Sequence, residues 1–361
     1  MDRLRLFIII GVIAVHAAAS YVVQVGWYVE QRSAGPVAVL VFSVPVYAGL
    51  IFGLAPLFFL SGWWSAESIR RHGAARYLGR RMVRLGLPLA AYVVLIGPLA
   101  AWLGSRVAGV ASPLSSFVLA PIGRRDVGPM WFVAALLVFS LCYAVARSVR
   151  PGRPRPHGRP VRLFWLGVLV LAVLDFAVWL HWGYLAPGPW SVNIAHWPQS
   201  GIAFAAGAVA AERDWLPELP ASLRRTAPRG LGLGLLALLG LAAATIGAGG
   251  DYTDLASGWH WQAAAFAICD GVISLALCLW LVAMFVSRWN APLPGWAAAT
   301  SRGSYAAYLL HPVVLAALSL AIAGLAWPAE AEFAAVAGIG ITLSLALGSV
   351  AARLPWVRAV L

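Results

Sequence analysis

The sequence predicts an all-α integral membrane protein of about ten transmembrane helices, on the evidence of its composition, its apolar runs and its arginine distribution. The chain has 361 residues, of which 61% are hydrophobic and 11% are charged. A typical soluble domain has about 25% charged residues. Several apolar runs reach the roughly 18 residues that cross a bilayer as a helix. Arginines cluster in alternate connections between these runs, as expected of a chain that crosses the membrane repeatedly.

Ten apolar runs account for the predicted spans, and we treat residues 1–361 as one transmembrane domain. The runs are 6–25, 37–61, 85–103, 129–146, 163–182, 196–211, 231–249, 261–287, 304–325 and 333–352.

The connections that precede and separate the first five spans differ in composition. The first span follows the charged N-terminal residues, and the second and third flank a basic segment at 65–84. The segment 104–128 has room for a partial or interfacial helix. The fourth span begins at Gly128-Pro129. A Pro/Arg-rich segment at 150–160, typical of a flexible loop, precedes the fifth.

The later spans are separated by connections that alternate in charge. The segment 212–230 contains four arginines and follows the sixth span. Asp251 and Asp254 lie between the seventh and eighth spans, the basic loop 288–303 lies between the eighth and ninth, and Glu330 precedes the tenth.

The arginine distribution predicts the orientation of the chain. The net charge of +13 comes from 26 arginines without a lysine, and 22 of these arginines fall on one side of the predicted topology. The positive-inside rule therefore predicts cytoplasmic N- and C-termini. Because this rule explains most of the charge, no nucleic-acid partner is implied. The lipid bilayer is the expected surrounding, and the sequence leaves the oligomeric state open.

The N-terminus has an alternative interpretation as a signal peptide. Arg3 and Arg5, a ten-residue apolar run and Ala17–Ala19 together resemble one. The apolar stretch continues through Val23, however, which favours a retained first span.

The cysteines and histidines suggest neither disulfides nor a metal. Cys142 and the pair Cys269 and Cys278 all fall inside predicted spans, and the pair lies on opposite faces of one helix. The histidines lack metal-ligand spacing, so no metal site is predicted.

Arg5 and His16 are the most informative pair in the sequence. They are eleven residues apart, close to three helical turns, so both side chains lie on nearly the same helix face. The separation along the axis is about 16 Å, which places Arg5 at the membrane surface and His16 near mid-membrane. An ionisable residue at that depth is a candidate for function, although a histidine with a single packing hydrogen bond is the alternative.

Arg81 and Arg84 are candidates for phosphate binding. Three residues apart on a helix, they share a face, and two guanidinium groups there suit bidentate contacts with phosphate. The alternative is topological, because arginines that flank a span are common.

Three further motifs complete a family pattern. They are the Phe-Phe-Leu-Ser-Gly run at 58–62, Trp131-Phe132 and the Tyr-Leu-Leu-His-Pro run at 308–312. With Arg5-x10-His16 and Arg81-x-x-Arg84, they occur in the order found in the acyltransferase family 3 membrane proteins. The chain resembles a stand-alone member over nearly its whole length, with the glucan- or exopolysaccharide-modifying type slightly closer.

The resemblance implies O-acylation of a carbohydrate or glycosylated acceptor, with cytoplasmic acyl-coenzyme A as donor. It implies that His16 is catalytic and that Arg5, Arg81 and Arg84 bind the donor. The acyl group would be of the acetyl or succinyl type, and the protein would lie in the bacterial plasma membrane. Physical chemistry agrees: burial favours neutral imidazole, the form that takes a proton from an attacking hydroxyl, and arginines at the surface suit the phosphates of coenzyme A.

Other polar residues at membrane depth have two alternative interpretations each. Asp175 and Asp270 could orient His16 or serve a polar cavity, and interhelical hydrogen bonding is the alternative. His311 lies at a depth comparable to that of His16. The connections opposite the basic side are rich in tryptophan and contain His181, His196 and His260, which an interfacial aromatic belt or a sugar platform would explain.

Two other function classes remain open from the residues alone. A transporter or flippase of a lipid-linked saccharide would need a charged central path and discontinuous helices, and no internal repeat is evident. A membrane-embedded assembly protein would use His16 for packing only.

Overall fold

The computed structural model describes residues 1–22, 26–30, 35–121, 125–149, 159–215, 219–289, 291–325 and 327–360. The protein is all-α: 81% of it is helical, and no strand occurs among the described residues. The predicted fold class is therefore confirmed. The end of the first predicted span and most of the Pro/Arg-rich segment lie outside the described residues.

The chain forms long helices joined mostly by short connections. The helices are α1 (Asp2–Ala19), α2 (Pro36–Phe52), α3 (Ala55–His72), α4 (Ala74–Arg81), α5 (Leu87–Ala91), α6 (Gly97–Val107), α7 (Leu114–Val118), α8 (Trp131–Val149), α9 (Pro160–Trp179), α10 (Trp197–Glu212), α11 (Ala221–Gly247), α12 (Tyr252–Ala256), α13 (Trp261–Ser287), α14 (Gly295–Ile322), α15 (Ala329–Ala351) and α16 (Pro355–Val360). Two π-helical segments, Met82–Gly86 and Tyr92–Ile96, link α4, α5 and α6 into one long helix. The partial helix expected within 104–128 corresponds to α7.

Seven helices in the described part of the chain are long and apolar enough to cross a membrane, which differs from the predicted ten. Every predicted span overlaps a helix, so the difference lies in helix length and charge. The predicted span 37–61 is two helices, because the chain breaks at Gly53 and Leu54. The first span begins with three charged residues within its first turn, and α10 has only 16 residues.

The bundle has a basic end and an opposite end, and helix ends contact each other at both. At the basic end, Arg147 forms an ion pair with Glu212 at 3.3 Å, and the Arg3 guanidinium donates to the Pro292 carbonyl oxygen at 3.2 Å. At the opposite end, the Val127 N–H donates to the Trp190 carbonyl oxygen at 2.9 Å. Each of these contacts joins segments that the arginine pattern assigns to the same side of the membrane.

Small residues set the closest helix crossings. In the crossing of α3 and α10, a Cβ at Gly62 would lie 1.9 Å from the Phe204 carbonyl oxygen, and one at Gly207 would lie 1.8 Å from that of Phe59. Gly303 and Gly348 also lie in close contact between α14 and α15, where a Cβ at either would lie 2.5–2.6 Å from the backbone of the other. Such contacts let helices pack where lipid removes the hydrophobic drive for association. Gly62 of the Phe-Phe-Leu-Ser-Gly run thus permits this close helix packing.

We expect Gly207→Ala to lower the midpoint of thermal unfolding in detergent. Ala favours a helix over Gly by about 1 kcal/mol, but the added Cβ would displace the Phe59 carbonyl. Gly240 is the matched control, since no atom lies within 4 Å of a Cβ built there. Gly240→Ala should keep or raise the midpoint. Equal midpoints for the two variants would contradict the packing role of Gly207.

Candidate functional site

Two histidines from opposite ends of the sequence meet inside the bundle. The Nδ1 atom of His16 on α1 lies 3.0 Å from the Nε2 atom of His311 on α14. His311 is fully buried, whereas His16 remains partly accessible. The comparable depth predicted for these residues thus corresponds to direct contact.

The hydrogen bonds assign the protons of this pair. The Nδ1 atom of His311 lies 2.5 Å from the Tyr308 carbonyl oxygen, which can only accept, so Nδ1 of His311 is the protonated nitrogen. A neutral His311 then has an accepting Nε2, and the His16 Nδ1–H donates to it. The lone pair of neutral His16 is consequently on Nε2. This tautomer suits a general base, because Nε2 keeps its accepting capacity.

Trp27 stacks on the His16 ring and restrains its orientation. The two rings stack with centroids 4.3 Å apart and planes 15° from parallel. The Trp27 ring is also nearly parallel to that of His311, at 6.1 Å and 14°. Stacking and the hydrogen bond together fix the orientation of the imidazole.

His16 lies where two cavities meet. The first, the α1 cavity, has a volume of about 360 Å³ and extends along α1 from Phe7 to Ala19, about 18 Å. The second, the loop cavity, has a volume of about 490 Å³ and is formed largely by connections at the opposite end. The α1 cavity is mostly apolar, and the loop cavity has a larger polar share. Both cavities are lined by His16, Ala19, Pro129 and Trp131.

Arg5, like His16, contacts α14, but at a position nearer the basic end. One guanidinium nitrogen donates to the Ser301 carbonyl oxygen at 2.8 Å and to its hydroxyl at 3.0 Å, and Arg5 pairs with Asp2 at 3.2 Å. The helices α1 and α14 therefore run side by side in the same direction, joined at Arg5 and again at His16. The predicted alignment of Arg5 with His16 holds.

Arg81 and Arg84, which helical spacing predicts to share a face, differ in environment. Arg81 is partly buried and donates to the Ser65 hydroxyl at 3.0 Å and the Ser61 carbonyl oxygen at 3.4 Å. Arg84 is exposed and lies in the π-helical segment Met82–Gly86. The wider turn of a π-helix changes the angle between residues three apart. Phosphate binding by the two arginines stays a prediction.

Asp175 and Asp270 contact each other, not His16. Both side chains are almost fully buried, and they lie against one another between α9 and α13. Ser274 hydrogen-bonds Asp270, and its hydroxyl accepts from the Gln199 amide at 2.5 Å. Gln199 lines the α1 cavity. The carboxyl pair therefore connects to a cavity wall, while His311 and Trp27 orient His16.

Sequence reasoning missed a hydrogen-bonded chain in the loop cavity. The Tyr28 hydroxyl donates to the Asp126 carboxylate at 3.3 Å, and the Tyr28 and Tyr92 oxygens are 2.9 Å apart. Burial raises the pKa of Tyr28 above its usual range, so this phenol stays protonated. Partial enclosure also raises the pKa of Asp126, and the hydrogen bonds from Tyr28 and the Gly128 N–H oppose that rise. The placement of Asp126 two residues before Gly128-Pro129 was the available signal.

The segment before α10 is the other missed feature. Trp190, Ser191 and Asn193 have φ values of 51°, 56° and 48°, a left-handed conformation that is uncommon for residues other than glycine. His196 follows them, is 4% exposed and lines the α1 cavity. Its ring packs against Tyr184 and Trp131. Strained backbone beside a cavity is typical of functional sites, but nothing in the sequence distinguished these residues from an aromatic belt.

Within the described residues, no three His, Cys, Asp or Glu side chains are grouped so that they could hold a metal ion.

Comparison with known proteins gives one family. A family model described as an acyltransferase domain matches residues 1–353 of the 361. No curated protein and no solved structure matches the chain.

The assigned tautomer can be checked by nitrogen-15 NMR of histidine-labelled protein. We expect a protonated Nδ1 and an unprotonated Nε2 for His16 near neutral pH, because His311 offers only an acceptor. The His16 signals are those absent from a His16→Gln sample. In His311→Leu the imidazole acceptor is lost and only the Val12 carbonyl oxygen remains as an acceptor for the His16 ring, so the preference for a protonated Nδ1 should weaken. A protonated Nε2 in the unaltered protein would refute the assignment.

Proposed function

The chain belongs to acyltransferase family 3 and is a multi-pass membrane enzyme that transfers groups other than aminoacyl groups, and on this basis we propose a specific reaction for it. It moves an acetyl- or succinyl-type group from acyl-coenzyme A to a hydroxyl of a saccharide or glycosylated acceptor. His16 acts as general base. The observation that carries the proposal is that two cavities of different character meet at His16.

The α1 cavity suits the donor. Coenzyme A has anionic phosphates at one end of a long arm and a thioester at the other. Arg5 lies at the basic end, and the cavity runs about 18 Å along α1 towards His16. We assign the phosphates to Arg5, Arg81 and Arg84, since guanidinium groups bind phosphate well. The mostly apolar cavity would then receive the arm and bring the thioester to His16.

The loop cavity suits the acceptor. A hydroxyl entering from that side would meet the Nε2 atom of His16, which carries the lone pair. His16 takes the hydroxyl proton while the oxygen attacks the thioester carbonyl carbon. Collapse of the tetrahedral intermediate breaks the C–S bond, and the imidazolium returns the proton to the thiolate. The products are the O-acyl ester and coenzyme A, so protons balance without another reactant.

The orientation follows from the arginine pattern. The basic end would face the cytoplasm, where acyl-coenzyme A is made, in the plasma membrane of a bacterium. The acceptor would enter from the other side, and the thioester would react without the coenzyme crossing.

We expect His16→Ala to lower the rate of acyl transfer by about 10²–10⁴-fold, the usual loss when a general base is removed. The assay uses purified protein, labelled acetyl-coenzyme A and candidate glycosides, with amounts matched by gel filtration. His181→Ala is the control, because His181 is exposed at the opposite end. Membrane insertion should persist in both, since Ala is more apolar than His. Near-normal turnover by His16→Ala would remove His16 from the mechanism.

We expect Arg81→Ala and Arg84→Ala each to weaken coenzyme A binding about tenfold or more. Each change removes a charge-assisted phosphate contact worth on the order of 1.5–3 kcal/mol. Arg81→Ala should also lower the thermal midpoint, because Arg81 hydrogen-bonds α3. Arg106→Ala, at the opposite end, is the control. Calorimetric titration measures the binding, and unchanged affinity in the double variant would reduce the pair to a topology signal.

A further inference from the structure

We propose that the loop cavity selects acceptors by charge: it admits neutral or amine-bearing saccharide units and excludes anionic ones, and Asp126 is the residue that determines this. The inference rests on the proposed function, because it assigns the acceptor to this cavity. It goes further by naming the chemical class that the acceptor must have.

The charge of the cavity is the first argument. Asp126 is the acidic side chain in its wall, and none of the described residues that line the cavity is an arginine or lysine. The neighbouring Arg125 is turned away, since its guanidinium donates to the Ala120 and Val118 carbonyl oxygens at 2.9 Å and 2.5 Å. The carboxylate therefore has no ion pair with a described residue, and it gives the cavity a negative potential.

The hydrogen-bonding capacity of Asp126 is the second argument. Tyr28 has one hydroxyl proton and donates it to Asp126, so the proton between Tyr28 and Tyr92 comes from Tyr92. This chain holds the carboxylate in place. A carboxylate has about four accepting positions, and Tyr28 and the Gly128 N–H use two. The remaining positions can accept from sugar hydroxyls or from an ammonium group.

The rest of the wall matches a sugar ring. Trp27 and Trp131 offer aromatic surface to C–H faces, while Ser191 and Asn193 offer donors and acceptors to hydroxyls. The volume of about 490 Å³ lies within the range of roughly 300–1,000 Å³ found for ligand pockets. The left-handed loop is tied down, because the Asn193 N–H donates to the Pro187 carbonyl oxygen at 2.7 Å. The wall is thus preformed.

An anionic acceptor would place a second negative charge beside Asp126. In a partly desolvated cavity such like-charge contacts discriminate strongly against the wrong ligand. The same field would attract an ammonium group. We expect selectivity between matched neutral and anionic acceptors of about tenfold or more, the ratio given by a difference of roughly 1.4 kcal/mol.

The charge of the cavity can be measured without any enzyme activity. Ser191→Cys places a thiol in the wall, in a background in which Cys142, Cys269 and Cys278 are replaced by Ala. The measured quantity is the rate of modification by a cationic methanethiosulfonate reagent divided by the rate with an anionic one. We expect this ratio to be about tenfold or more higher for the Ser191→Cys thiol than for a free thiol in solution. Adding Asp126→Asn should bring the ratio close to that of the free thiol, whereas Glu330→Gln, an exposed carboxylate at the same end, should leave it unchanged.

Acyl transfer tests the selectivity itself. Purified protein with acetyl-coenzyme A is offered methyl glucoside, methyl glucosaminide and methyl glucuronide, and kcat/KM is compared. The kcat/KM of the neutral and amine-bearing glycosides should exceed that of the glucuronide by about tenfold or more. Asp126→Asn keeps the side-chain shape and an acceptor for Tyr28, and it should reduce this difference by raising the kcat/KM of the glucuronide.

The two assays separate the possible failures. A thiol reactivity ratio that Asp126→Asn leaves unchanged, or equal use of the glucuronide by the unaltered protein, would overturn the charge selection. If the reactivity ratio behaves as expected and no glycoside is acylated, the proposed function fails for these acceptors and the cavity charge stands. Should Ser191→Cys fail to fold, Leu185→Cys offers a second thiol position in the same wall.

Discussion

The hydrogen bond between His16 and His311 is the interaction on which the site depends. It joins α1 to α14 inside the bundle, where water is scarce and an unpaired polar group is costly. The His16 Nδ1–H donates to Nε2 of His311, and the His311 Nδ1–H donates to the Tyr308 carbonyl oxygen. The arrangement fixes one tautomer at His16 and leaves one nitrogen available.

This contact also constrains the helices. Because Arg5 bonds Ser301 and His16 bonds His311, α1 is held to α14 at two levels about 16 Å apart. Sliding or rotating α1 would break both contacts. The α1 cavity uses one side of this fixed helix as its wall, so its length is set by the same register. Close glycine contacts between α14 and α15 hold α14 in turn.

The two cavities differ because they are made from different parts of the fold. The α1 cavity is built from helix faces, which are apolar at membrane depth, with a few polar residues such as Gln199. The loop cavity is built largely from connections, whose polar side chains include Asp126 and Asn193. The proposed donor is long with a charged head and the proposed acceptor has many hydroxyls, so each suits one of these two cavities. Pro129 and Trp131 line both cavities where these meet at His16. The Tyr308 hydroxyl donates to the Pro129 carbonyl oxygen at this point.

The sequence by itself determined the all-α membrane fold, the family and the approximate positions of most helices, and it predicted a role for His16 and Arg5, since apolar runs and helical spacing are local properties. Helical spacing places two residues on one face but does not say which helix lies opposite. His16 and His311 are 295 residues apart, and only the packing of α1 beside α14 brings them together. The same holds for Asp175, which lies against Asp270, and for the different environments of Arg81 and Arg84. Tertiary structure alone decided that Trp27 and Asp126 belong to the site, because loop residues acquire a role through the walls that distant helices supply.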